Sequence, residues 1–213
     1  MCRKCPRLAR YLDEVRCAHP EYHCAPVAAW GRADARLLIV GLAPGLHGAN
    51  RTGRPFTGDA SGTFLFRALA RHGFASGADA AQASLLGARI TNAVKCVPPG
   101  NRPTAAELGN CRGYLSAELA QLWHPSVRRP RCVLALGHVA HRAVVAALPD
   151  ELWGTHPVRP APPVFGHGAQ HRLAPALWVV DTYHPSRQNT NTGRLTAAML
   201  DRVLARVAAL LRK

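Results

Sequence analysis

The chain is expected to fold as an α/β protein, a parallel sheet covered by helices on both faces, and three observations carry that prediction. Four short apolar runs, at 37–40, 89–94, 131–136 and 177–181, alternate with stretches whose apolar residues recur at helical spacing. The first run, Leu37-Leu38-Ile39-Val40, is continuously apolar, as suits a strand buried on both faces. Finally, three unusual loops, at 41–62, 95–104 and 183–190, each follow a predicted strand. All three therefore fall at the carboxyl edge of the sheet, where ligands bind in such folds.

Taken in order, the chain opens with Cys2-x-x-Cys5-Pro6, followed by Leu8, Leu12 and Val15 at the spacing of a short amphipathic helix. Residues 19–31, with Pro20 and Pro26, read as an extended arm. After the 41–62 loop, an apolar helical pattern begins at Thr63 and stops near Gly73, and 76–82 is a polar, alanine-rich loop. The second strand runs into Lys95-Cys96-Val97-Pro98-Pro99-Gly100-Asn101-Arg102-Pro103-Thr104, a loop stiffened by three prolines. Thr104 with Glu107 three residues on forms a capping-box pattern for a helix carrying Leu108, Cys111, Leu115, Leu119 and Leu122 along one face. Gly137 starts a helix after the third strand, 152–175 looks irregular, and a closing helix spans about 195–211.

The length of 213 residues fits one domain over 1–213, with an N-terminal arm of about 1–31, and the 48% hydrophobic content agrees with a sizeable core. The formal net charge of +15 comes mostly from arginine, whose planar fork suits phosphate and base edges. Such a balance predicts a polyanionic partner, most often nucleic acid. No apolar stretch follows Met1-Cys2-Arg3-Lys4-Cys5 as a signal peptide requires, and no run is long enough to cross a membrane. A cytoplasmic protein follows, and in that compartment seven cysteines argue for metal or cluster ligation rather than disulfides.

Cys2 and Cys5 form a C-x2-C pair, a strong local ligand signature; Cys96 and Cys111, a C-x14-C spacing that shows nothing alone, could complete a set of four. Either four-thiolate zinc or an iron–sulfur cluster satisfies it. Cys17 and Cys24 are possible substitutes in that set but read rather as small apolar or surface residues, and Cys132 reads as core. In the 41–62 loop, glycines allow close backbone approach, Phe56 offers a flat stacking surface, and Asp59 is an acid near His47, Arg51 and Arg54.

The stretches GLAPGLHGANRTGRPFTGDASG, KCVPPGNRPT and YHPSRQNTNTGRLT, in that order, resemble the uracil-DNA glycosylase superfamily, and specifically its iron–sulfur type B branch, family 5. The resemblance covers nearly the whole chain. It implies a three-layer α/β/α sandwich around a four-stranded parallel sheet, a [4Fe–4S] cluster on Cys2, Cys5, Cys96 and Cys111 with zinc as the less favoured occupant, and removal of uracil from DNA. It also implies tolerance of other deaminated or damaged bases, such as hypoxanthine and ethenocytosine. Cys2 directly follows Met1, where such proteins usually carry a short lead, so either the chain starts unusually late or its start lies upstream.

Residue by residue, the resemblance assigns Asp59 to water activation and to the sugar cation, and Asn101 to an asparagine implicated in activity. Gly41-Leu42-Ala43-Pro44 carries no polar side chain where many related glycosylases place the water-activating Asp or Asn, so that burden moves to Asp59. His184, just past a strand end, is set to donate to uracil O2 as negative charge develops there. Asn92 resembles the uracil-reading asparagine of the neighbouring iron–sulfur branch, and Phe56 would stack on the flipped base. Gly41, Leu42 and Ala43 form a backbone wall, and Ser186 and Arg187 are placed to hold phosphates, with Arg51, Arg54 and Arg102 as further candidates. Structural alternatives stand beside these roles: a helix N-cap for Asp59, a turn for Asn101, a strand-end contact for Asn92, core packing for Phe56 and a structural ring for His184. The expected activity is that of a monomeric, monofunctional hydrolase acting on DNA at the nucleoid. The competing readings are a non-catalytic iron–sulfur protein that binds uracil or damaged DNA, and a zinc-stabilised nucleic-acid module of another kind.

Overall fold

The computed structural model describes residues 2–124, 126–149, 152 and 161–212. Six strands form one sheet in the order β1-β3-β2-β4-β6-β5. The central four, β3 (Ala88–Asn92), β2 (Leu37–Gly41), β4 (Arg131–Leu136) and β6 (Leu177–Thr182), are parallel, and they are the four runs read from the sequence. The two edges are antiparallel additions. β1 (Trp30–Gly31) pairs with β3 inside the stretch read as an extended arm, and β5 (Gln170–Ala174) pairs with β6 inside the stretch read as irregular. A two-residue strand has no periodicity to detect, and Gln170-His171-Arg172 lacks the β-branched residues that announce strands. Residues 153–160 of that irregular stretch, like Met1 and Lys213, lie outside the described residues.

Alternation along the parallel strands builds two cores. Leu37, Ile39, Ile90, Leu134 and Val180 face α3 (Ala60–Arg71) and α7 (Ala197–Arg212). Leu38, Val40, Val133 and Val179 face α4 (Ala105–Leu122) and α5 (His138–Ala147). The result is a three-layer α/β/α sandwich in which β2 is buried on both faces.

A third, smaller core attaches the N-terminal arm. α1 (Pro6–Ala18) starts with proline at a position where the missing N–H costs nothing, and it buries Leu8, Leu12 and Val15 against Cys24, Val94, Val97, Cys96 and Cys111. Arg7 donates to both carboxylate oxygens of Glu107 at 2.8 and 2.7 Å. Glu107 also closes the capping box with Thr104 at the start of α4, so one buried acid joins the arm to the helix carrying Cys111.

Short helices occupy all three long loops where none was expected: α2 (Ala49–Thr52) in the first, a 3-10 turn (Pro99–Asn101) in the second and α6 (Arg187–Asn191) in the last. The helix expected from Thr63 begins at Ala60, because Asp59 caps it.

Candidate active site

The loops after β2, β3 and β6 converge on one cleft of about 650 Å³. Asp59, Asn92, Asn101 and His184 line it, with Phe56 as an apolar wall. Leu42, Ala43, Ser186 and Arg187 also reach it. Gly41 lies just behind, paired in register with Asn92 across β2 and β3.

Glycine is required at Gly41. A Cβ there would sit 2.5 Å from Asn92 Oδ1 and 2.6 Å from the Phe56 ring. Phe56 itself takes the left-handed backbone region at φ 52°, and a Cβ on Gly62 would overlap its carbonyl. The local turn thus presses the ring against the strand end, and only 7% of Phe56 remains exposed, in the cleft. Its ring centroid is 6.0 Å from that of His184.

Asp59 divides its two oxygens. Oδ1 accepts the Gly62 N–H at 2.8 Å, capping α3, so the N-cap alternative holds as a structural fact. Oδ2 lies over two bare glycines: a Cβ on Gly48 would overlap it, and one on Gly45 would come within 3.1 Å. Sequence reading missed this pair, because a glycine's role as space for a distant side chain leaves no local signal. Gly48→Ala is therefore expected to displace the Asp59 carboxylate, slowing the chemistry of the cleft and lowering Tm by no more than the roughly 2–4 °C that loss of the α3 cap costs. A wild-type single-turnover rate in that variant would contradict the packing argument.

His184 is held from behind by the end of β4 and by its own loop. A Cβ on Gly137 would stand 3.1 Å from the His184 Cβ, and Asn189 Nδ2 donates to the His184 carbonyl at 2.8 Å. The ring is half-buried, with one side open to the cleft. Burial pushes its pKa down to about 4, against an opposing pull from the Asp59 carboxylate. His184 is consequently neutral at pH 7, a single N–H donor rather than an imidazolium.

Asn92 closes β3 and is 2% exposed. Its Oδ1 has no hydrogen-bond partner among the described residues, an uncommon state for a buried amide. Asn101 follows Gly100, and both adopt left-handed backbone, φ 55° and 60°. That is the turn role foreseen for it, and the same turn sets Asn101 on the cleft wall, with no side-chain hydrogen bond among the described residues. Ser186 caps α6 through the Asn189 N–H at 3.4 Å, and Arg187 is exposed at the rim.

The arginines of the first loop serve structure. Arg54 lies 3.6 Å over the Trp30 ring and donates to the carbonyls of Ala80, Ala81 and Ala83. Arg51 donates to the carbonyls of His47 and Gly58. Arg102 is exposed, and its carbonyl accepts from Arg7. Lys95 is buried and donates to Thr91 Oγ1, the Asn92 carbonyl and Glu118, at 2.6 to 2.9 Å. Its ammonium points away from the cleft and is committed to these partners.

Cys2, Cys5, Cys96 and Cys111 line a separate cavity of about 430 Å³ beneath α1 and α4. All seven cysteines are free thiols. Burial, with Cys111, Cys2 and Cys5 close by, pushes the Cys96 thiol up to about 12. Burial raises the Cys111 thiol as well, with Cys5 and Cys2 adding to it, and four sulfurs gathered in one cavity are a donor set that a metal centre would suit. Asn110 Nδ2 lies 3.4 Å from Cys5 Sγ and Tyr114 Oη 4.0 Å from Cys2 Sγ, outer contacts that suit a sulfur-ligated group. Cys17 is exposed, while Cys24 and Cys132 are core, as the sequence reading expected.

A doubly wound sandwich with an acid and a neutral histidine lining a cleft at its carboxyl edge defines a class, and the chain belongs to it: the uracil-DNA glycosylase superfamily, whose family model matches residues 28–208. More narrowly, its similarity is to the type-5 branch. It is 44% identical to the Type-5 uracil-DNA glycosylase of Mycobacterium leprae, over 94% of this chain and 87% of that protein. Identity is 43% to the Type-5 uracil-DNA glycosylase of Thermus thermophilus, over 95% of this chain and 90% of that protein. It is also 43% to that of Pyrobaculum aerophilum, over 98% and 88%.

Proposed function

We propose that this chain hydrolyses the N-glycosidic bond of uracil in DNA, leaving an abasic site, as a monofunctional glycosylase of base-excision repair. The observation that carries this reading is the presence of two groups in one cleft: an acid able to serve the sugar and a neutral N–H donor able to serve the leaving base. The target nucleotide must leave the duplex to reach them. Phe56 then stacks on the base, and the unpartnered Asn92 Oδ1 accepts the uracil N3–H. As the bond from C1′ to N1 breaks, its electron pair moves onto the base and is held at O2 by His184. Water adds to C1′, and Asp59 takes its proton and faces the developing sugar cation. Asn101, on the adjoining wall, positions the water or the sugar.

Other deaminated or damaged bases, including hypoxanthine and ethenocytosine, belong to the same proposal, because stacking on Phe56 is indifferent to base identity. So do a monomeric state and a cytoplasmic site of action at the nucleoid. No helix among the described residues is long and apolar enough to cross a membrane. The +15 charge favours a DNA backbone, and Ser186 and Arg187 at the rim are the residues set to touch phosphates.

The four thiols would hold a [4Fe–4S] cluster, which serves structure by tying α1 to the loop that carries Asn101. The full-length protein is expected to be brown and to contain iron, both lost in Cys96→Ser; a colourless, zinc-containing wild type would contradict the assignment. For the reaction, a uracil-containing oligonucleotide is incubated under single-turnover conditions and then treated with alkali. Strand breaks are expected only after alkali, because Lys95 is not free to form an imine. Binding without alkali-labile product would instead leave a non-catalytic reader of uracil or damaged DNA.

A further inference from the structure

Away from both the cleft and the thiols lies another group of ligating side chains that the reaction does not use. His141 on α5, His171 on β5 and Asp181 on β6 place one ring nitrogen each and a carboxylate oxygen within 4.8 Å of one another. Asp181 is 0% exposed and His141 2%. His141 Nδ1 is 2.8 Å from Asp181 Oδ1, and His171 Nε2 is 3.1 Å from Oδ2. The Gly166 N–H also donates to Oδ2, at 3.4 Å.

Proton placement exposes a charge deficit here. His141 Nε2 lies 3.0 Å from the Pro163 carbonyl, which only accepts, so Nε2 carries a hydrogen. In the neutral ring Nδ1 would then hold a lone pair, turned on a buried carboxylate oxygen at hydrogen-bond distance. Two acceptors do not face each other without positive charge between them, and that charge is either a proton or a metal ion. An imidazole whose outer N–H is fixed by a backbone carbonyl is also how proteins orient metal-ligating histidines.

We propose that His141 Nδ1, His171 Nε2 and the Asp181 carboxylate form a binding site for a divalent cation of the zinc type. Two imidazoles and one carboxylate are a borderline donor set that suits zinc and leaves a fourth position for water. A bound ion would join α5, β5 and β6 three residues before His184, and so would brace the strand end from which the His184 loop departs. The site is separate from the four cysteines in both position and chemistry.

The test uses the full-length protein with Zn²⁺ alone as probe. Anomalous diffraction at the zinc edge is expected to show a peak among His141, His171 and Asp181, in wild type and in Cys96→Ser alike. Zinc bound per chain should fall by one equivalent in Asp181→Asn and in His171→Ala, and added zinc should raise Tm in wild type but not in His171→Ala. His171 is only partly buried, on an edge strand, so its variant reports even if Asp181→Asn fails to fold. No peak at the three residues, or equal zinc counts in wild type and His171→Ala, would overturn the proposal and leave a buried imidazolium–carboxylate pair.

Discussion

Asp59→Ala is expected to slow uracil release by about 10²–10⁴-fold, the range over which a positioned acid–base group acts. The expectation is that large because nothing else at the head of the loop can replace it: Leu42 and Ala43 reach the cleft with apolar side chains only. A second effect accompanies it. Removing the side chain also removes the cap on α3, worth about 1 kcal/mol. For a chain of this size that lowers Tm by roughly 2–4 °C. Rate and stability therefore move together in the alanine variant, and the fall in rate far exceeds what so small a loss of stability explains.

His184→Ala is expected to cost about 10²–10³-fold in single-turnover rate, the usual loss when one prepositioned donor to a developing anion is removed. The pH dependence gives the more specific check. A histidine with its pKa at about 4 is already deprotonated well below neutrality, so its N–H remains available and its charge stays zero as pH rises. From about pH 5 to about pH 8 the wild-type rate should carry no inflection from this residue, although an unperturbed histidine titrates in the middle of that span. An inflection near pH 6.5 that vanishes in His184→Ala would contradict the neutral-donor assignment.

Much of this arrangement was legible in the residues because it depends on order along the chain. Alternating apolar runs set four parallel strands, and parallel strands place every loop that follows them at one edge. Hence Asp59, Asn101 and His184, far apart in sequence, could be expected in one cleft, where they lie. The cysteines were legible for a similar reason: Cys2 and Cys5 precede a helix that must pack somewhere, and Cys111 lies on the buried face of α4. What depended on contacts between distant backbones was not visible. Gly45 and Gly48 matter through the space they leave for Asp59, and Gly137 through the space it leaves for His184. Arg54 looked like a phosphate ligand until Trp30, brought alongside by an edge strand too short to predict, took its guanidinium. His141, His171 and Asp181 escaped notice because their spacings follow no ligand motif and His171 lies in a stretch read as irregular.

The acid of the first loop, rather than its glycine-rich head, is proposed to activate water. Asp59→Asn isolates it, since asparagine caps a helix about as well as aspartate but cannot accept a proton from water. The decisive measurement is the single-turnover rate of uracil release by Asp59→Asn at pH 7, taken with its Tm. A Tm equal to wild type with a rate as low as that of Asp59→Ala is the expected result. A rate close to wild type at an unchanged Tm would show that Asp59 serves the helix and that water is activated elsewhere.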